Sequence, residues 1–289
     1  MDHNHEAVSK VTVPYILERK SQGEKFACLT AYDYPTARLV DEAGIDLILV
    51  GDSLGQVVLG YDSTLPVTVE EMLHHLRAVR RATHRALLVV DLPYGAYQVS
   101  DEKALEVAIR YVKEGGAEAV KFEGGKKRAP LIRRMVDAEV PVMAHIGLTP
   151  QSLHAMGGYR VQGKTWESAT ELLADAEALQ DAGAFSLCLE GLPRELAALV
   201  TRRLRIPTIG IGAGPDCDGQ ILIFHDLAGL CFLPRTKFAR RYTDTAAHLR
   251  TALARFRDDV VGGHFPDDTE SYHWSASVRE QFERAPVGE

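Results

Sequence analysis

The strongest constraint on this chain is an alternation. Short apolar runs recur along it, each separated from the next by a segment patterned like an amphipathic helix. The runs are FACLTAY (26–32), DLILVG (46–51), ALLVVDL (86–92), EAVKFEG (118–124), PVMAHIG (141–147), FSLCLEG (185–191), PTIGIGA (207–213) and QILIFHD (220–226). Most are apolar throughout, the pattern of strands covered on both faces. Eight strand–helix units in succession predict an α/β chain closed into a (β/α)8 TIM barrel. The eighth run is ambiguous, because QILIFHD also reads as the first turn of a helix.

The intervening segments carry helix signals. In PTARLVDEAG (35–44) Leu39, Val40 and Ala43 can share one stripe. SDEKALEVAIRYVKEGG (100–116) opens on Ser100 as an N-cap and stops at Gly115 or Gly116, and SATELLADAEALQDAGA (168–184) ends at Gly183. Residues 1–25 contain VTVPYILERKSQGE, a short helix expected to close one end of the barrel. Residues 26–260 are assigned to a single barrel domain and 261–289 to a C-terminal extension. The last twenty or so residues are expected to be mobile or to pack on a neighbour.

Composition excludes several classes. The 289 residues carry 40 acidic and 33 basic side chains, a net charge of −7, which argues against a nucleic-acid binder with a basic face. The basic clusters at 77–85, 202–205 and 237–241 read as solvated faces, one of which could meet a polyanionic cofactor tail. Cys28, Cys188, Cys217 and Cys231 form no C-x-x-C pair, so neither a zinc knuckle nor a disulfide framework is expected. No apolar run approaches the roughly 18 residues of a membrane span, and MDHNHEAVSK has no signal-peptide core. A reduced, cytoplasmic protein without membrane contact is expected.

In this architecture reacting side chains sit at the C-terminal strand ends. Those ends supply Asp52 and Ser53, Asp91, Lys121 with Glu123, His145, and Glu190. A lone aspartate after a strand is often only the N-cap of the next helix. Three carboxylates at successive strand mouths are a different matter, since each would raise its neighbours' pKa and oppose folding. A hard divalent cation resolves the conflict, and all-oxygen ligands favour Mg²⁺ over zinc. Lys121 and Glu123, two apart on a strand, point the same way. They read as a structural ion pair or, for Lys121, as a contact to a substrate carboxylate or oxyanion. His145 is either a core histidine bonded to a backbone carbonyl or a polar contact in the pocket. Glu190, set apart from the acidic trio, reads as a base, with a fourth ligand or a cap on the LPRELAALV helix as alternatives. Gly210, Gly212 and Gly214 in IGIGAG lack the context of a dinucleotide fingerprint. They are expected to let a large ligand approach the backbone.

Together these residues make a resemblance visible. The chain closely resembles the ketopantoate hydroxymethyltransferase family in LTAYDYPTARLVDEAGID (29–46), LVGDSLGQVVLGYDSTLPVTVEEMLHH (49–75), DLPYGAY (91–97) and VKFEGG (120–125). The likeness continues through HIGLTPQS (145–152), GGYRVQGK (157–164), LEGLP (189–193) and IGIGAGPDCDGQILIFHD (209–226), in order over residues 10–242. The resemblance implies a (β/α)8 barrel that transfers a one-carbon unit from 5,10-methylenetetrahydrofolate to 2-oxoisovalerate, giving 2-dehydropantoate in pantothenate and coenzyme A synthesis. It implies Mg²⁺ held by Asp52, Asp91 and Glu123. Contacts to the 2-oxo acid would come from Asp52, Ser53, Asp91 and Lys121, and Glu190 would be the base. It also implies a homodecamer of two stacked pentameric rings. Gly191 stands where the family more often has a larger residue, implying a looser turn after the base. One or two extra residues near Arg235–Thr236 are expected to affect the eighth helix and subunit contacts. The rival reading is a Mg²⁺-dependent C–C or C–P lyase acting on another small 2-oxo acid.

Overall fold

In a computed structural model describing residues 9–285, the eight apolar runs all become strands. They are β1 (Phe26–Thr30), β2 (Leu47–Val50), β3 (Leu87–Asp91), β4 (Ala119–Glu123), β5 (Val142–Gly147), β6 (Ser186–Glu190), β7 (Thr208–Ile211) and β8 (Gly219–Leu222). Each pairs in parallel with the next, and β8 closes on β1 with Phe26 opposite Gly219 and Leu29 opposite Leu222. The ambiguity at the eighth run resolves inside the run itself. Its first half is strand, and a helix begins at Phe224, whose N–H donates to Thr30 Oγ1 at the end of β1.

The helices are α1 (Val13–Gln22), α2 (Tyr34–Glu42), α3 (Leu54–Val57), α4 (Val69–Arg80), α5 (Asp101–Arg110) and α6 (Ala129–Asp137). They continue as α7 (Leu153–Met156), α8 (Trp166–Asp181), α9 (Arg194–Arg203), α10 (Phe224–Ala228), α11 (Thr245–Val261) and α12 (Ala276–Arg284). Ser100 caps α5 by accepting from the Lys103 N–H. After α5 the chain makes one wide turn over Tyr111–Gly115 and stops at Gly116, whose φ of 71° suits glycine. Gly115 serves packing instead, since a Cβ there would lie 2.2 Å from Leu76. In α2 the buried face is Ala37, Val40 and Asp41, while Leu39 is 62% exposed and turns away from the expected stripe. Asp41 is buried because its carboxylate accepts from the N–H groups of His84, Arg85 and Ala86, so hydrogen bonding overrides hydrophobicity on that helix.

Side chains alternate across each strand, dividing the core in two. Residues facing the helices form one cluster that includes Ile48, Val50, Leu88, Val90, Val120, Phe122, Ala144, Leu187 and Leu189. Residues facing the barrel axis form another, with Cys28, Leu47, Leu49, Leu87, Val89, Met143, Cys188 and Ile209. Val11 and the fully buried Ile16 of α1 join this inner cluster, so the N-terminal helix packs against the residues that face the barrel axis. Climbing the inward rows toward the C-terminal ends, apolar residues give way to Asp91, Lys121, Glu123, His145 and Glu190. The period of two that builds the core therefore also carries the charged groups to the mouth.

The chain divides into two compact units, 1–242 and 243–289. Helix α11 falls in the second unit, although all but its last residue lies within the 26–260 span assigned to the barrel. Within that unit α12 is helical to Arg284, with Trp274 stacked on Phe282 at 4.5 Å, where a mobile tail was one expectation. Residues 1–8 and 286–289, at the ends of the two expected flanking segments, lie outside the described residues. No helix among the described residues is long and apolar enough to cross a membrane.

Candidate active site

One cavity of about 510 Å³ opens at the C-terminal strand ends, lined by all seven residues singled out in the sequence: Asp52, Ser53, Asp91, Lys121, Glu123, His145 and Glu190. The capping alternatives do not hold. Helix α5 is capped by Ser100 rather than Asp91, and α3 follows Ser53 with no side-chain cap bond. Helix α9 has Pro193, not Glu190, at its N-cap. Asp91 instead ends β3, where its Oδ1 accepts from Lys121 Nζ at 2.6 Å and its Oδ2 from the Asp52 N–H at 3.1 Å. Lys121 is thus ion-paired, but with Asp91 of the neighbouring strand rather than with Glu123 two residues along its own. Ser53 Oγ lies 2.7 Å from the hydroxyl of buried Tyr32, whose carbonyl oxygen sits 2.6 Å from His75 Nδ1.

His145 is 1% exposed, and neither ring nitrogen has a hydrogen-bond partner. Its Nδ1 lies 3.7 Å from Glu123 Oε1 and its Nε2 lies 3.3 Å from Glu190 Oε2. The reading as a core histidine bonded to a backbone carbonyl therefore fails. The imidazole stands between two carboxylates, one in the acidic trio and one apart from it.

Electrostatically the mouth is acidic, with Asp52, Asp91, Glu123 and Glu190 around the Lys121 ammonium and Asp62 and Asp226 also on the cavity wall. Burial pushes the Asp52 carboxyl up to about 7, the Asp91 charge adds to this, and Lys121 and the Gln151 amide oppose it. Glu123 is raised as well, by burial first and then by Asp52. Burial works against the Lys121 ammonium, but Asp91 foremost, then Cys188, Glu123 and Asp52, more than offset it and hold its pKa above the usual lysine value. Burial raises both thiols on the cavity wall, Cys188 and Cys231, away from the thiolate form that a nucleophile or soft ligand needs.

No three His, Cys, Asp or Glu side chains among the described residues already converge at the spacing of a metal's ligands. The donor set nonetheless suits a hard divalent cation. Asp52, Asp91 and Glu123 are buried oxygen donors whose mutual repulsion a single ammonium does not cancel.

Several residues of the site were not anticipated. Gln151 hydrogen-bonds Asp52 and Glu123 and the Tyr97 hydroxyl accepts from the Glu123 N–H, and Ile211, Leu222, Ile223, Leu233, Pro234 and Phe238 form an apolar outer wall. The segment 231–238, expected to bear on the eighth helix, supplies much of that wall. The glycines of IGIGAG admit the chain's own side chains rather than a ligand. A Cβ would meet Cys217 Sγ at Gly210, the Phe238 ring at Gly212 and Arg194 at Gly214. Nor is the turn after Glu190 loose, since the Gly191 N–H donates to Ile211 O and its carbonyl accepts from the Gln162 N–H. The signals for Gln151 and Tyr97 were the motifs HIGLTPQS and DLPYGAY, to which no general rule of the fold assigns a purpose.

A closed parallel barrel with its charged side chains gathered at the C-terminal strand ends defines a (β/α)8-barrel enzyme. Among solved structures it resembles 2,3-dimethylmalate lyase, a member of the PEP mutase/isocitrate lyase superfamily. The TM-score is 0.56 at 18% identity, covering 94% of this chain and 97% of that one. At that identity the likeness is one of fold alone. Sequence similarity reaches further. The chain matches the ketopantoate hydroxymethyltransferase family over residues 10–268. It is 60% identical over 265 residues to the 3-methyl-2-oxobutanoate hydroxymethyltransferase of Koribacter versatilis, covering 92% of this chain and 90% of that one. It is 53% identical over 263 residues to the protein of the same name from Trichlorobacter lovleyi, covering 91% and 98%. The chain belongs to the ketopantoate hydroxymethyltransferase family, and is a transferase of the pantothenate pathway. The match extends through α11, past the residue 242 at which the motif likeness ended.

Proposed function

We propose that this chain transfers a hydroxymethyl group from 5,10-methylenetetrahydrofolate to 2-oxoisovalerate (3-methyl-2-oxobutanoate), giving 2-dehydropantoate. The observation that carries this reading is a separation within one cavity. Asp91 and Lys121 are locked together and Asp52 and Glu123 are hydrogen-bonded, while Glu190 faces the same space with His145 Nε2, at 3.3 Å, as its nearby ionisable partner. Its side chain is 18% exposed, against 4–5% for Asp91 and Glu123. A carboxylate of that kind, next to but outside an electrophilic centre, is placed to take a proton.

Asp52, Asp91 and Glu123 would hold Mg²⁺, which supplies Lewis-acid polarisation of the 2-oxo group when bound. Lys121, kept cationic by Asp91, and the Ser53 hydroxyl bind the substrate's oxygen atoms and oppose the negative charge that develops there. Water adds to the donor's one-carbon unit and both bonds from that carbon to the folate nitrogens break, releasing tetrahydrofolate and a one-carbon carbonyl. Glu190 removes the C3 proton, the electron pair left at C3 attacks that carbonyl carbon, and its oxygen takes up a proton to become the hydroxyl. The apolar wall from Ile211 to Phe238 excludes bulk water from the reacting end.

The test is NMR of 2-oxoisovalerate in D₂O with purified protein and Mg²⁺. Loss of the C3 proton signal, abolished in Glu190→Gln with 2-oxo acid binding retained, supports the assignment. Exchange at the parental rate in that variant refutes it. The lyase reading has only the likeness of fold in its favour. Within the same proposal the enzyme works in the cytoplasm as a homodecamer, which analytical ultracentrifugation tests.

A further inference from the structure

The motif HIGLTPQS places Gln151 on a short 3-10 turn, Pro150–Ser152, immediately after β5. Its side chain is 6% exposed and every polar atom it brings to the site is used. The backbone N–H donates to Glu123 Oε2 at 3.0 Å. Nε2 donates to Asp52 Oδ2 at 2.8 Å and to Leu92 O at 3.0 Å. Oε1 accepts from the Tyr97 hydroxyl at 2.7 Å and from Gln98 Nε2 at 3.1 Å. Tyr97 is fixed in turn, its hydroxyl accepting from the Glu123 N–H at 3.2 Å and its ring lying 4.8 Å beneath the Arg128 guanidinium. The amide orientation follows from chemistry, because a carboxylate and a carbonyl on one side require the NH₂ group there.

We propose that Gln151 is the positioning residue that aims Asp52 and Glu123 into the cavity and thereby sets the affinity of the acidic trio for a hard divalent cation. The inference rests on the cation reading given above. The Gln151 side-chain amide binds one oxygen of Asp52 and the Gln151 backbone N–H binds one oxygen of Glu123, which fixes both carboxyl planes and leaves Asp52 Oδ1 and Glu123 Oε1 free of Gln151. The neutrality of the residue matters as much as its reach. An ammonium or guanidinium at the same place would satisfy the same Asp52 oxygen and cancel the charge that attracts a cation. The neutral amide holds Asp52 in place beside Glu123, itself held by the backbone N–H, and leaves the charge of both intact. Partners of this kind, bonded to ligands rather than to the ion, commonly change metal affinity ten- to a hundredfold.

The experiment measures Mn²⁺ binding to the full-length protein by electron paramagnetic resonance of the free ion, in the parent, Gln151→Met and Tyr97→Phe. Gln151→Met keeps volume and removes the side-chain hydrogen bonds to Asp52, Leu92, Tyr97 and Gln98 while keeping the backbone bond to Glu123, and Tyr97→Phe removes the hydroxyl that supports the Glu123 backbone. The expected result is Mn²⁺ affinity weakened about ten- to a hundredfold in Gln151→Met and several-fold in Tyr97→Phe, with near-ultraviolet circular dichroism unchanged in EDTA. Affinity within twofold of the parent in a folded Gln151→Met overturns the proposal. So does an affinity loss that only accompanies loss of the native dichroism spectrum. If Gln151→Met does not fold, Tyr97→Phe decides, and parental affinity there overturns it. Absence of saturable Mn²⁺ binding in the parent removes the cation reading itself, an outcome distinct from a parent that binds and variants that do not differ.

Discussion

Lys121 and Asp91 meet at 2.6 Å where both side chains are almost wholly buried, and such a pair has two separable roles. Removing one partner strands a buried charge, so Lys121→Met should destabilise the protein by about 3–5 kcal/mol, measured by urea unfolding. The double variant Lys121→Met/Asp91→Leu should recover most of that loss while transfer activity stays abolished, which separates the structural pair from its chemical use. At Glu190 the expectation is reversed. Glu190→Gln should leave the unfolding midpoint nearly unchanged and reduce kcat by at least about 100-fold, read in a coupled assay for tetrahydrofolate. These positions were legible in the sequence because a strand's period of two and the known polarity of barrels place them. Gln151 and Tyr97 were not, because what they touch depends on how two loops fold back over the mouth. The His145 alternatives likewise needed coordinates, since nothing in PVMAHIG says what lies beside the ring.

Among the elements, the β5–β6 seam bears most directly on the base. Gly147 ends β5 at a φ of 97°, and a Cβ there would lie 2.2 Å from the backbone oxygen of Glu190, which accepts the Leu148 N–H at 2.8 Å. Gly147→Ala should therefore cost at least about 3 kcal/mol from strain and displacement together, and depress activity by moving Glu190. Gly157→Ala is the control. Its φ of 65° is similarly positive, but no atom lies within 4 Å of the added carbon, so only about 1 kcal/mol of conformational strain is expected. Helix boundaries such as Ser100 and Gly116 were readable because capping is local chemistry. The purpose of the IGIGAG glycines was not, because Phe238 and Arg194, which fill the space above Gly212 and Gly214, come from elsewhere in the chain. The Leu39 stripe failed for a similar reason, the buried place on α2 being taken by a carboxylate that three distant N–H groups satisfy.

The molecule as a whole should register its acidic mouth as a dependence of stability on pH. Asp52 titrates near 7 when folded, against an ordinary value of 3.8, so between those values the folded state holds a proton that the unfolded chain has released. Its contribution to stability is full below about pH 4 and is lost as pH rises through 7. Glu123 acts in the same direction. Metal-free protein should therefore lose stability between pH 5 and 7 with a slope on the order of 1.4 kcal/mol per pH unit. Asp52→Asn should flatten the slope, and added Mg²⁺ should restore stability chiefly above pH 7. Denaturant titrations at several pH values in EDTA and in Mg²⁺ check all three.

The barrel closes by pairing β1 with β8, so Phe26 bonds into the sheet beside Gly219, and Lys20 of α1 reaches Asp218 at 2.9 Å. A chain growing from a ribosome makes β1 before the other seven strands and must wait for nearly two hundred further residues before that strand has its second neighbour. Throughout synthesis the first strand is an open edge, the feature of a sheet most prone to pairing with the wrong chain. Translation speed and chaperone cover over the first two hundred residues, rather than the equilibrium strength of the finished barrel, would then set how much of this enzyme a cell recovers.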